Sequence, residues 1–103
     1  MYKIAPNAIV RREFFGGLGI ILNQDNFELD EFSTSFLRCL HHTTDCHVIS
    51  QALTRVHEVQ MTPEHVESLY EEALESGLIV RSNETKLIEV DKLVQIMQAE
   101  LDD

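Results

Sequence analysis

Residues 8–32, AIVRREFFGGLGIILNQDNFELDEF, decide how the rest of the chain is placed. β-Branched and aromatic residues dominate the stretch, and two breaks divide it, one at Gly16-Gly17 and one at Asn23-Gln24-Asp25-Asn26. Two breaks imply three strands, near residues 8–15, 18–23 and 26–30, joined as an antiparallel meander. Gly19 interrupts the middle strand, where a glycine marks either a bulge or a close backbone approach. In the third strand Phe27 and Leu29 fall on one face and Asn26, Glu28 and Asp30 on the other, the alternation of a half-buried sheet.

Beyond Asp30 the apolar period changes from two to 3.6. Phe32, Phe36, Leu37 and Leu40 form one stripe behind an acidic or Ser33 cap, which predicts a first helix to about His41. Val48, Ile49, Ala52, Leu53 and Val56 predict a second. Thr62-Pro63-Glu64 sets a capping threonine before a proline at the first helical position. Val66, Leu69, Tyr70, Ala73 and Leu74 carry that third helix to Gly77. After it, LIVR and KLIEV flank SNET as a small hairpin, followed by a helix from about Asp91; by period alone, a helix from Glu84 onward also fits Leu87, Val90, Val94, Met97 and Leu101. The expected class is α+β: a three-stranded antiparallel sheet followed by three helices, winged helix-turn-helix-like, with a C-terminal extension over residues 82–103.

Bulk properties bound the function. A chain of 103 residues that is 44% apolar builds one compact core. Its formal net charge of −10 is repelled by nucleic-acid phosphates and anionic membranes and favours a basic or amphiphilic partner. No apolar run approaches the ~20 residues of a spanning helix, and no signal segment opens the chain. With two cysteines that read as reduced thiols, the expected compartment is the cytoplasm.

The densest cluster of reactive side chains is CLHHTTDCH, residues 39–47, with Cys39, His41, His42, Asp45, Cys46 and His47 as ligand types that suit zinc. Its position between two helices makes it a connection, with Thr44 or Asp45 capping the second. None of the common zinc spacings is present, so no metal is expected. Glu64, Glu67, Glu71, Glu72 and Glu75 share one face of the third helix and read as a solvated surface rather than as acid–base machinery. Arg11 and Arg12 either grip a carboxylate or phosphate or pair with local glutamates. Phe14 and Phe15 cannot both point inward from a regular strand. His57 and His65 are expected at a surface or an interface.

The segment Arg11-Arg12-Glu13-Phe14-Phe15-Gly16-Gly17-Leu18 resembles the Arg-x-Glu-x-Phe-Gly-x-Leu run of PqqD-like domains, the recognition elements for ribosomally made, post-translationally modified peptides. The resemblance is to members serving radical S-adenosylmethionine maturases, of the mycofactocin and splicease types, and it spans roughly residues 3–80. Leu29-Asp30 is similar to the family's strand-to-helix step. Where many members have Asp-Gly between the first two helices, this chain has His42, Thr43 and Thr44.

The resemblance implies a leader-binding domain over residues 1–81, in which the precursor's leader segment pairs with the third strand and lies against the third helix. Carried over, the site is the backbone of Phe27, Glu28, Leu29 and Asp30, with Val66, Leu69, Tyr70 and Ala73 as groove lining. The implied partners are a precursor (leader) peptide and a radical S-adenosylmethionine maturase, with no cofactor of the chain's own. The 82–103 extension is expected to meet the maturase or, as a homodimer, a second copy. The competing reading is a winged-helix DNA-binding regulator. It requires basic or amide side chains on the recognition helix, yet between Thr62 and Gly77 there is no Lys or Arg. An enzyme in its own right would need a nucleophile–base pair, a phosphate loop or a ligand set, and none is legible.

Overall fold

A computed structural model describes residues 1–102. Five strands and four helices follow one another: β1 (Tyr2–Ile4), β2 (Ala8–Glu13), β3 (Gly16–Ile21), β4 (Phe27–Leu29), α1 (Glu31–Cys39), α2 (Cys46–His57), α3 (Pro63–Ser76), β5 (Ile79–Arg81) and α4 (Val90–Leu101). The α+β class and the three-stranded meander stand as expected, with β2, β3 and β4 antiparallel in that order.

The first turn lies elsewhere than Gly16-Gly17. Glu13 pairs with Gly16, so Phe14 and Phe15 form the hairpin tip, and both glycines belong to β3. Gly16 adopts φ +132, which a residue with a Cβ rarely reaches. Gly17 lies under α1: a Cβ there would come within 2.8 Å of Thr34 Cγ2 and closer still to Thr34 Oγ1. Only a glycine lets the first helix settle that close to the sheet. Phe14 is 100% exposed, with Phe15 edge-on to it, so neither ring enters the core.

The helix termini follow the sequence closely. Asp30 accepts from Ser33 N–H at 2.6 Å, and Asp45 accepts from His47 and Val48 N–H at 2.8 and 3.3 Å. Thr62 and His65 complete a reciprocal capping box, and Gly77 ends α3 at φ +87.

The C-terminal fifth departs most from expectation. LIVR does not fold back on KLIEV; β5 instead pairs antiparallel with β1, a strand the sequence reading omitted, in register Tyr2↔Arg81 to Ile4↔Ile79. Residues 82–89 form a strap without regular structure, tied down where Thr43 Oγ1 donates to the Lys86 carbonyl at 3.1 Å. α4 then packs chiefly on α2, with Leu93 0% and Met97 4% exposed inside the common core. The apolar stripe expected to meet an enzyme or a second copy is therefore largely consumed within the chain. Arg38 anchors the end of α4 by a two-pronged bond to Glu100 at 3.0 and 3.2 Å while also donating to the Val10 carbonyl.

Candidate functional site

Which backbone groups of the sheet remain free follows from the ladder. Leu22 N–H donates to the Asn7 carbonyl at 2.9 Å, one step beyond the Ala8↔Ile21 pair. Bonded and non-bonded pairs alternate in an antiparallel ladder, so Gly16, Leu18 and Ile20 direct their N–H and C=O groups at β2. Gly17 and Gly19 therefore face β4, where their partners are Leu29 and Phe27. Phe27 and Leu29 use their backbone groups on β3. Glu28, between them, directs its N–H and C=O outward, and among the described residues no other backbone group pairs with that edge.

Beside this edge lies a groove of about 130 Å³. Phe27 and Leu29 of β4 form one wall and Leu69 and Ala73 of α3 the other, while Phe36, Leu37 and Leu78 make the floor. Gly19 shapes that floor: a Cβ there would lie 2.9 Å from the Phe27 ring and 3.0 Å from Leu78 Cδ1, so its absence lets the two side chains converge across the sheet. The glycine marks a close approach, with β3 continuing regularly through it. Ser33, Glu72 and Ser76 rim the opening.

The structure brings together Phe27, Leu29, Leu69 and Ala73, with the Glu28 backbone on the adjoining edge. Asp30 is occupied as the cap of α1. Val66 and Tyr70 are corrected out of the groove lining, because they are 0% and 2% exposed on the core side of α3. Tyr70 stacks on Tyr2 and its hydroxyl donates to the Thr44 carbonyl at 3.0 Å, a role that supports the wall from behind. The helical period alone places Leu69 and Tyr70 side by side without saying which borders the sheet edge. Phe36, Leu37, Leu78 and Glu72 were missed for the same reason, since only the crossing of α1 and α3 brings them to one opening.

The other sequence candidates lie apart from this groove. The Cys39 thiol points into the core, 3.6 Å from Met97 Sδ, and burial pushes its pKa up to about 12. Among the described residues no three His, Cys, Asp or Glu side chains converge as metal ligands. Arg11 pairs with Glu13 at 2.6 Å, and Arg12 donates to Ser35 Oγ at 3.0 Å and faces Glu100 at 4.0 Å. His57 Nε2 lies 2.9 Å from the same Ser35 oxygen. Burial lowers the His57 pKa, opposed by nearby Glu31 and Asp30 and assisted by Arg12. Ser35 Oγ thus joins Arg12 and His57, a three-element tie between β2, α1 and α2. No helix among the described residues is long and apolar enough to cross a membrane.

No protein-family model and no curated protein matches the chain. Among solved structures the fold is similar to SuiB of Streptococcus suis, in a crystal structure of that protein bound to S-adenosylmethionine. The superposition has a TM-score of 0.53 at 22% identity and covers 99% of this chain. It spans 22% of SuiB, so the likeness is to a domain-sized part of a longer chain.

Proposed function

We propose that this protein binds the leader segment of a ribosomally synthesised precursor peptide by strand addition to β4 and presents it to a modifying enzyme, without turnover of its own. The observation that carries the reading is the outward-facing backbone of Glu28 lying directly beside an apolar groove. A free strand edge supplies main-chain bonds to an extended peptide of any sequence, and a pocket beside it supplies selectivity through alternate side chains. The outward N–H and C=O of Glu28 are the bonding groups of the ladder, with Phe27 and Leu29 holding β4 to β3 and Asp30 turning the chain into α1; Leu69 and Ala73 are the facing wall, with Val66 and Tyr70 holding α3 in place behind it.

The partner assigned by this reading is a radical S-adenosylmethionine maturase. That class is what the resemblance of Arg11–Leu18 implies, and the fold-level likeness to SuiB, a protein crystallised with S-adenosylmethionine, agrees with it. The test is titration of a fluorescently labelled extended peptide with one central Leu, followed by fluorescence anisotropy. Glu28→Ala keeps the outward N–H and is expected to bind within a few-fold of the parent. Glu28→Pro removes that one donor and leaves the bonded pairs to β3 in place, so binding is expected to disappear while the helical circular dichroism persists. A well-folded Glu28→Pro protein that binds as tightly as the parent would sink the reading.

A further inference from the structure

The charges around the groove have one sign. Glu72 stands on the α3 rim, Glu28 projects from the outer face of β4, and Asp30 and Glu31 lie exposed where that strand runs into α1. No lysine or arginine lines the opening. Arginines elsewhere are already engaged, Arg11 by Glu13, Arg12 and Arg38 by Glu100, and Arg55 by Asp91.

Resting on the strand-addition reading above, we propose that this site selects an extended peptide carrying one leucine- to phenylalanine-sized side chain directly flanked by lysine or arginine. The periodicity of a strand makes the two requirements neighbours in sequence. A peptide residue opposite Phe27 or Leu29 points into the groove, and the next residue, opposite Glu28, points to the outer face where that carboxylate projects. The anchor size follows from the volume: about 130 Å³ is close to the ~150 Å³ of an engineered apolar cavity that admits benzene, so the groove holds a single side chain of that size. The residue after the basic one returns to the groove side, where a second lysine or arginine meets Glu72 at the rim. Uncompensated negative charge on both sides of the anchor also excludes acidic neighbours, so the discrimination is repulsive as well as attractive.

The experiment uses three synthetic dodecapeptides of Ser, Thr and Gln with one central Leu, flanked on each side by two Lys, two Gln or two Glu, so that one flanking residue faces Glu28 and the next meets the groove rim at Glu72. Each is titrated to millimolar concentration and followed through the backbone amide shifts of the full chain. The Lys peptide is expected to bind roughly three- to ten-fold tighter than the Glu peptide, the range for one or two exposed ion pairs, with Gln between them. The spread should shrink at high salt. Glu28→Lys combined with Glu72→Lys changes only exposed side chains and is expected to invert the order. Equal affinities for all three peptides, with Glu28→Pro still abolishing binding, overturn the charge selection and leave strand addition standing. No binding by any peptide, or binding untouched by Glu28→Pro, overturns strand addition and the selection with it.

Discussion

Removing residues 82–103 is expected to unfold the domain rather than release a smaller working one. Leu93 is 0% and Met97 4% exposed, and both pack into the core shared by Leu53, Ile49 and Cys39. Truncating a buried Leu or Met to Ala costs ~2–5 kcal/mol, so losing both removes ~4–10 kcal/mol from the ~5–15 kcal/mol typical of a whole domain. Glu100 leaves with them. Arg12, whose Nε is buried without a hydrogen-bond partner, and Arg38 then lose the carboxylate they share. A graded variant keeps the argument testable if the truncated chain cannot be purified. Leu93→Ala alone should cost about 3 kcal/mol and lower the midpoint of thermal unfolding, read by circular dichroism at 222 nm, by roughly 12–24 °C at 4–8 °C per kcal/mol. A chain ending at Arg81 that melts cooperatively within a few degrees of the parent would refute the claim that α4 is part of the core.

Gly19→Ala should weaken binding of any apolar-anchored peptide several-fold and cost ~1–3 kcal/mol of stability, because the new methyl presses on the Phe27 ring and the buried Leu78 and narrows the groove; isothermal titration beside a melt checks both. The folded pKa of His57 is lowered, chiefly by burial, so the unfolded chain binds the proton more readily. Stability should therefore be full above the ordinary value near 6.5 and fall as pH drops from there toward the lowered value; urea midpoints across pH 7.5 to 5 should show this slope, and His57→Gln should reduce it. Iodoacetamide at pH 8 should leave Cys39 unmodified in the native protein, its pKa standing at about 12, and modify it on denaturation, as intact mass would report.

Local signals carried most of the fold. Asp30, Asp45, Thr62 and Gly77 mark helix ends because capping is decided within three or four residues, and the meander was legible because its strands are sequence neighbours. The first turn was misplaced because Gly16 and Gly17 look like turn residues. They are glycines for tertiary reasons, Gly16 for its positive φ beside the Leu29 carbonyl and Gly17 for its contact with Thr34. The β1–β5 pairing joins residues almost eighty positions apart and leaves no local trace in three-residue strands. The same limit governed the site. The third strand was legible near residues 26–30, where the structure has Phe27–Leu29, but the face of α3 beside it was not, since Leu69 and Tyr70 differ only by which neighbour each finds.

An open edge beside an apolar groove also invites pairing between copies of the chain, and its local chemistry restrains this. β4 is only three residues long, and its free edge centres on Glu28. If two copies joined antiparallel across a twofold axis at that residue, Glu28 would face Glu28 directly, with the Asp30 of each chain opposite the Asn26 of the other. Like charges directly opposite each other on paired strands are destabilising, and a three-residue ladder offers few bonds in return. With a net charge of −10, the chains repel one another further before contact. A basic extended peptide meets none of these penalties: it brings the same main-chain groups as a second copy and the opposite charge. Under the proposed strand-addition role, the carboxylates that would bias the groove toward such a peptide therefore also keep the edge from closing on itself.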